Sequence, residues 1–441
     1  MPGITPGQAE RERRAMERAG EPAVPGVSVP GRTAHDNVYE LRVLLLLGLA
    51  FGFAYFDRMA LTFLAPFVRA DLDLSNEEIG WLGSGLSATW ALGAYFIGRW
   101  SDSIGARKPF LLAALVIFSF CSVLSGMAWS FGTLLATRIV MGAAEGPFLP
   151  ICLAILIAAS AESRKGLNAG IMQNAFGSII GTALAPFVLI RIAEATDWRM
   201  AFYIAGIPGL ILAVLIWRYI REPERVSEPK PPAASLAPWS LLRERNIWLC
   251  SLISCFAVGS VIIGSIFMPL YLDGPRGYDP LTWANVMTVV GFCPAVGGVL
   301  VTWLSDRIGR KPPLIVFAFL MALAPAALLW FDGPVEALTA LMFVSWMGLG
   351  TFPLFMGIIP AETLGRLRAA TAMGLVVAIG ELTGGVFGPP IAGRLADNFS
   401  LAVPLYIQMG LAIAAGITAF AVVETHPRIL ERRGRKAELA V

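Results

Sequence analysis

The sequence predicts an all-α polytopic membrane protein: twelve transmembrane helices in two pseudo-symmetric six-helix halves. Three observations carry that reading. Apolar stretches of about 20 residues, the length that crosses ~30 Å of hydrocarbon as a helix, recur throughout the chain. Only 15% of the 441 residues are charged and mean hydropathy is +0.68, far from a soluble globular composition. A loop motif and a glycine–proline pattern in the first half also return in the second. Backbone groups in lipid must bond internally, so spans are helices or closed barrels, and uninterrupted runs this long exclude a barrel.

Taken in order, residues 1–42 are polar and rich in Pro and Gly. They lack the apolar surface needed to offset ordering entropy and read as a disordered cytoplasmic arm. The N-terminal half, 43–220, holds the spans Val43–Leu64, Ile79–Gly98, Pro109–Trp129, Phe131–Ala159, Gly166–Ile190 and Met200–Ile220. Residues 221–246 form the longest internal polar segment, a Pro/Glu/Ser-rich cytoplasmic central loop. The C-terminal half, 247–423, holds Ile247–Leu272, Trp283–Leu304, Pro313–Phe331, Ala337–Ile359, Ala370–Ala392 and Leu401–Val423, and 424–441 is a cytoplasmic tail. Arg99, Arg107, Lys108, Arg164, Lys165, Arg307, Arg310 and Lys311 follow even-numbered spans, whereas loops after odd-numbered spans carry few cations. The positive-inside rule then places both termini in the cytoplasm of a multi-pass plasma (inner) membrane protein.

After the second span stands GRWSDSIGARKP, and after the eighth TWLSDRIGRKPP; Asp102 and Asp306 lie 204 residues apart, as do Gly105 and Gly309. Gly177, Gly181 and Pro186 answer Gly380, Gly384 and Pro389 at an offset of 203. Duplicated six-helix halves are a transporter architecture with the substrate near midplane. On these motifs the chain resembles the major facilitator superfamily from Val43 to Val423. The family's loop signature, G-x-x-x-D-x-x-G-x-[RK]-[RK], is met by Gly98, Asp102, Gly105, Arg107 and Lys108, with Ala106 in place of one usual basic residue. The second copy keeps Asp306, Gly309, Arg310 and Lys311 but has Thr302 where the first glycine stands. The resemblance implies alternating access with these nine residues as a cytoplasmic gate. Asp102 would accept from backbone N–H groups at a neighbouring helix N-terminus, where negative charge is favoured, and latch the halves while the protein is open outward.

Five charged residues sit deep within the spans: Asp57, Arg58, Arg138, Glu145 and Glu381. An ionised side chain at the bilayer centre costs at least ~2.5–3.5 kcal/mol, so it faces the bundle interior and marks an ion or substrate path. Arg138 and Glu145 share a helix face but stand roughly 10.5 Å apart along its axis, too far to pair. Gly142 and Gly146 lie near that face and permit close helix approach, so Asp57 or Glu145 is expected to reach Arg138 across a thin contact. The only two histidines, His35 and His426, lie in the tails, which leaves proton transfer to carboxylates. Asp57, Glu145 and Arg138 are therefore the expected proton-coupling set: protonation frees the arginine, and a conformational change follows. The alternative is a static buried pair that orients helices. Glu381, whose repeat counterpart is Ser178, reads as a second proton site, a polar contact to substrate or a packing residue.

In the superfamily spans one, four, seven and ten line the cavity. Spans seven and ten here carry no charge, Asn, Gln or His, and offer Phe267, Tyr271, Phe343, Trp346, Phe352 and Phe355 as apolar contact area. A sugar would leave polar groups unpaired on such a wall, at ~1–3 kcal/mol each. The expected substrate site is Arg58, Arg138, Glu145, Trp346, Phe352 and Glu381, suited to an amphipathic solute with an ionic head. FDR in the first span and RIVMGAAEGPFLP in the fourth resemble the spinster-like branch of lipid and sphingolipid transporters. With DWRMAFYIAGIPGL they are also similar to the anion:cation symporters, whose organic-anion or sugar-acid substrates would depend on Arg58, Arg138, Gln173 and Asn174. The expectation is a proton-coupled secondary carrier of a lipid-like solute of the lysolipid or sphingolipid class, with small organic anions as the alternative. A non-transporting membrane receptor is the reading from another class. No Walker loop, Ser-His-Asp set or dinucleotide fingerprint is present, so no enzyme is expected. Cys121, Cys152, Cys250, Cys255 and Cys293 all lie in spans without metal-ligand spacing. No cofactor beyond a coupling proton, no metal and no nucleic-acid partner is expected; the partners are the bilayer and the solute, and the carrier is expected to be a monomer.

Overall fold

The computed structural model describes residues 36–104, 106–223, 238–364, 366–427 and 429–431. Met1–Val38 separates from a unit spanning Tyr39–Val441, and the fold is that of the second unit. Among the described residues twelve long helices follow one another: α1 Asn37–Leu72, α2 Asn76–Ile104, α3 Lys108–Gly126, α4 Phe131–Ala159, α5 Lys165–Ala195 and α6 Trp198–Tyr219. Then come α7 Arg245–Asp273, α8 Pro280–Ile308, α9 Lys311–Trp330, α10 Val335–Leu364, α11 from Arg366 to Asn398, and α12 Ala402–Ala419. Eleven are long and apolar enough to cross a membrane. The exception is α2, 29 residues long, whose Gly80, Gly83, Ser84, Gly85, Ser87 and Thr89 dilute its hydropathy.

Helix α1 starts at Asn37, ahead of the expected Val43. The reason is a polar contact that hydropathy cannot register: Glu40 is buried and accepts from Arg164 Nε at 3.1 Å and from Asn168 Nδ2. Part of the central loop is also ordered, as a short 3₁₀ turn Pro238–Arg243 ahead of α7. The remaining arm, central-loop residues 224–237 and the tail from 432 lie outside the described residues.

Several helices are broken where the site will form. The α4 helix is interrupted between Glu145 and Phe148, at Gly146-Pro147, because proline has no N–H to donate. In α5 the stretch Ile171–Leu184 winds as wide π turns, and in α11 the stretch Glu381–Phe387 does the same. These two stretches overlap at the repeat offset. Such turns cluster at functional sites in helical proteins.

The signature loops are tied down within their own halves. Glu222, just after α6, accepts from the backbone N–H of Arg107 (2.6 Å) and Lys108 (2.9 Å) at the start of α3. Glu424, after α12, does the same for Arg310 and Lys311 at the start of α9, and also accepts from Thr425 and His426. Burial would raise the Glu424 carboxyl, but these four backbone donors outweigh it and hold the group below its ordinary value. Arg310 pairs with Asp306 and with Glu362 (2.8 Å), and Gly309 adopts φ +104°, a conformation only glycine takes freely. In the first copy Gly105 and the Asp102 side chain lie outside the described residues, so the expected Asp102 latch does too.

Among the described residues, side-chain hydrogen bonds between the halves all lie away from the signature loops. Asp397, at the C-terminal end of α11, accepts from the backbone N–H of Asn76 (2.9 Å), from Asn76 Nδ2 (2.7 Å) and from the Glu77 N–H (2.9 Å), capping α2. Thr182 donates to the carbonyl of Gly291, and Arg191 Nη2 to Asn285 Oδ1 at 2.8 Å, joining α5 to α8. Gly80 against Pro389 and Gly393 against Asn76 bring backbone onto backbone, with no room for a β-carbon at either glycine.

Candidate functional site

Between the halves lies a cavity of about 480 Å³. It is lined by α1, α2, α4, α5, α7, α8, α10 and α11, a wider set than the four spans expected. Arg58 and Arg138 face it from the N-terminal half, with Gln173, Asn174 and Ser178 from the wide turns of α5. The opposing wall is hydrocarbon and aromatic, with Val258, Val261, Ile262, Ile266, Trp346 and Phe352, broken by Glu381 of α11. Phe267 and Phe355, expected on this wall, are instead fully buried in the packing of the bundle. Helix periodicity alone did not separate lining aromatics from packing ones.

The charged residues divide into two layers. Arg58, Arg138 and Glu381 line the cavity, whereas Asp57 and Glu145 stand behind its wall, both buried in the N-terminal half. Glu145 was expected in the substrate set, but it sits at the break of α4 and is not a lining residue. The expected contact of Asp57 or Glu145 with Arg138 is also absent: none of the five charged residues is within ion-pair distance of another. The glycines explain why. Gly142 and Gly146 pack against the backbone of α2 at Leu86 and Trp90, so the thin face of α4 meets α2 and not α1.

Three of the five have weaker contacts instead, while Glu145 Oε1 and Glu381 Oε2 are buried without a hydrogen-bond partner. Asp57 Oδ1 accepts from the Ser122 hydroxyl at 2.6 Å, and Oδ2 has no partner. Arg138 Nη1 donates to Met141 Sδ at 3.2 Å, and its guanidinium carbon stands 5.2 Å from the Phe202 ring centroid. Nε and Nη2 of Arg138 remain unfilled. Arg58 lies 5.1 Å from the Trp90 ring centroid, a cation–π contact. Asp57 and Glu145 nevertheless act electrostatically on Arg138, and Arg58 on Glu145 and Glu381. A guanidinium with open donors is pre-shaped for a carboxylate, which it holds by two parallel charge-assisted bonds. No group of three or more His, Cys, Asp or Glu residues able to hold a metal occurs among the described residues.

Ser122, Glu222, Glu362, Asp397 and Glu424 hold polar contacts as well, and the sequence carries a signal for two of them. Ser119, Ser122 and Ser125 form an i, i+3 polar stripe on an otherwise apolar span, and Asp397 is the acidic counterpart of Glu194 at the 203-residue offset.

Comparison with known proteins agrees with this architecture. The family profile described as Major Facilitator Superfamily matches residues 47–382 and 287–440. The chain is 26% identical to the "Hexuronate transporter" of Bacillus subtilis (strain 168) over 90% of this chain and 98% of that protein. It is 27% identical to the "3-(3-hydroxy-phenyl)propionate transporter" of Escherichia coli (strain K12) over 88% of this chain and 96% of that protein. Among solved structures, a bacterial homologue of the human lysosomal transporter Spinster, inward-facing and occupied, superimposes with a TM-score of 0.69 at 19% identity, covering 88% of this chain and 95% of that one. That likeness is one of fold.

Proposed function

This chain belongs to the Major Facilitator Superfamily and is a multi-pass membrane transporter, not an enzyme; from that premise we propose that it is a proton-coupled symporter of a small organic carboxylate with an apolar body. One observation carries the substrate class: two arginines without ion-pair partners face a cavity whose opposite wall is largely hydrocarbon. The names of the hexuronate and hydroxyphenylpropionate transporters both describe carboxylates, which supports the same assignment. The lysolipid expectation has the apolar wall in its favour, but a short alkyl or aryl body satisfies that wall equally.

In this reading the carrier works as a monomer in the plasma membrane, with both termini and the signature loops in the cytoplasm. In this orientation the bonds of Asp397 to Asn76 and of Arg191 to Asn285 fall at the extracytoplasmic end, which supports an inward-facing state. The substrate carboxylate occupies the open donors of Arg138 and Arg58. Protonation of Asp57 and Glu145 removes the negative charges that compete for those arginines, and deprotonation towards the cytoplasm restores the competition and expels the substrate. Ser122 donates to the Asp57 carboxyl behind the cavity wall.

The test is uptake into proteoliposomes of radiolabelled 3-phenylpropionate, with and without a pH gradient, challenged by a chain-length series of lysolipids. Accumulation driven by the gradient and indifferent to lysolipid is expected. Binding of lysolipids that strengthens with each added methylene, by up to ~0.8 kcal/mol per buried CH₂, together with no carboxylate uptake, would overturn the carboxylate reading in favour of lipid.

The Asp397 cap should set the balance between states. Hydrogen bonds to a charged group contribute ~1.5–3 kcal/mol each, so Asp397→Ala is expected to shift the population towards extracytoplasmic opening by at least tenfold. Spin labels at Thr196→Cys and Ser400→Cys, both exposed at that end, would read a longer distance in the variant. An unchanged distance distribution would show that packing alone holds the end shut.

A further inference from the structure

One charge in the cavity has no role in the scheme above. Glu381 is the sole charged lining residue contributed by the C-terminal half. Its Oε2 is buried without a hydrogen-bond partner, and Arg58, which acts on it through space, is not within ion-pair distance. It opens the wide-turned stretch of α11. Gly385, one turn on, keeps a side chain out of the tight space beside Oε2: a β-carbon there would lie 3.0 Å from Ile262 Cδ1, 3.1 Å from that oxygen and 3.7 Å from the Ser87 β-carbon. A buried acceptor without a donor is costly, and no side chain among the described residues supplies one.

We infer that Glu381 accepts a hydrogen bond from a hydroxyl on the substrate, at the end remote from the carboxylate. This rests on the carboxylate reading and narrows it: the substrate class is a hydroxy-substituted organic acid whose apolar body spans from the arginines to α11. The two halves then grip opposite ends of one molecule, so a solute lacking either end holds only one half. Sites built to hydrogen-bond a substrate hydroxyl discriminate strongly against the analogue that lacks it, because their polar groups are left unpaired.

The experiment compares 3-(3-hydroxyphenyl)propionate with 3-phenylpropionate, titrated calorimetrically into the purified full-length chain and into Glu381→Gln and Glu381→Leu. The wild type is expected to prefer the hydroxylated acid by at least about tenfold, as a bond to a charged acceptor supplies. Glu381→Leu should bring the two within about twofold by weakening only the hydroxylated one, while Glu381→Gln, which keeps a carbonyl acceptor, retains part of the preference. Undiminished 3-phenylpropionate binding in both variants shows that they are folded. Equal affinities in the wild type, or a preference that survives Glu381→Leu, would overturn the role of Glu381 and leave the carboxylate reading standing. Failure of both acids to bind the wild type would count against both readings.

Discussion

Arg138→Ala is expected to abolish carboxylate accumulation, and Arg138→Lys to lower transport at least about 100-fold. The guanidinium is fully buried in the cavity wall, and its Nε and Nη2 have no hydrogen-bond partner. Those two atoms present a planar fork to a carboxylate, and a lysine ammonium preserves the charge but not the fork. Two charge-assisted bonds of ~1.5–3 kcal/mol each are lost with the alanine, and the bound anion is left in a poorly solvating cavity. The phenyl face of Phe202 also loses its cation. The measurement is initial uptake rate at matched reconstitution, alongside binding affinity. Full activity in Arg138→Lys would mean that a point charge suffices and that the fork plays no part.

Neutralising the two hidden acids should uncouple transport without unfolding the protein. Asp57→Asn retains a carbonyl to accept from Ser122, and Glu145→Gln retains size and polarity at the α4 break; neither can exchange a proton. Neither acid lines the cavity, so substrate binding should survive both changes. At least one variant is expected to lose accumulation driven by a pH gradient while exchanging labelled for unlabelled substrate across the membrane at near wild-type rates. Wild-type pH dependence in both would sink the coupling role assigned to Asp57 and Glu145.

The fold was legible because lipid imposes simple rules. Apolar length gave the helices, and the duplicated loop gave the pairing of halves. The boundaries were less so: Glu40 extends α1 through contacts with Arg164 and Asn168, which hydropathy scores as hostile to a span. At the site, the charged residue types were readable and their arrangement was not. Adjacent Asp57 and Arg58 point to different layers, a matter of helix rotation that no periodicity count fixes in a helix apolar all round. Gly142 and Gly146 announced a close approach but not its partner. The wide turns of α5 and α11, which bring Gln173, Asn174 and Glu381 to the cavity, have no composition signal at all, since they differ from α-helix by one residue per turn. Asp397 was hidden for another reason. Two of its three donors are backbone amides, which every residue carries.

That last contact bears on speed as well as on state. Where Gly80 lies against Pro389, and Gly393 against Asn76, peptide planes slide on peptide planes. At those two crossings no rotamer has to flip and no hydrocarbon socket is left to fill, so the bare backbone parts by wetting while Asp397 exchanges its donors for water. Side chains do meet nearby, as Phe67 does Trp283, and the glycine crossings are the stretch of the seal whose barrier is one of wetting. A carrier must cross that barrier in each cycle, with cargo and without. The bare glycines therefore act as the bearing on which turnover runs.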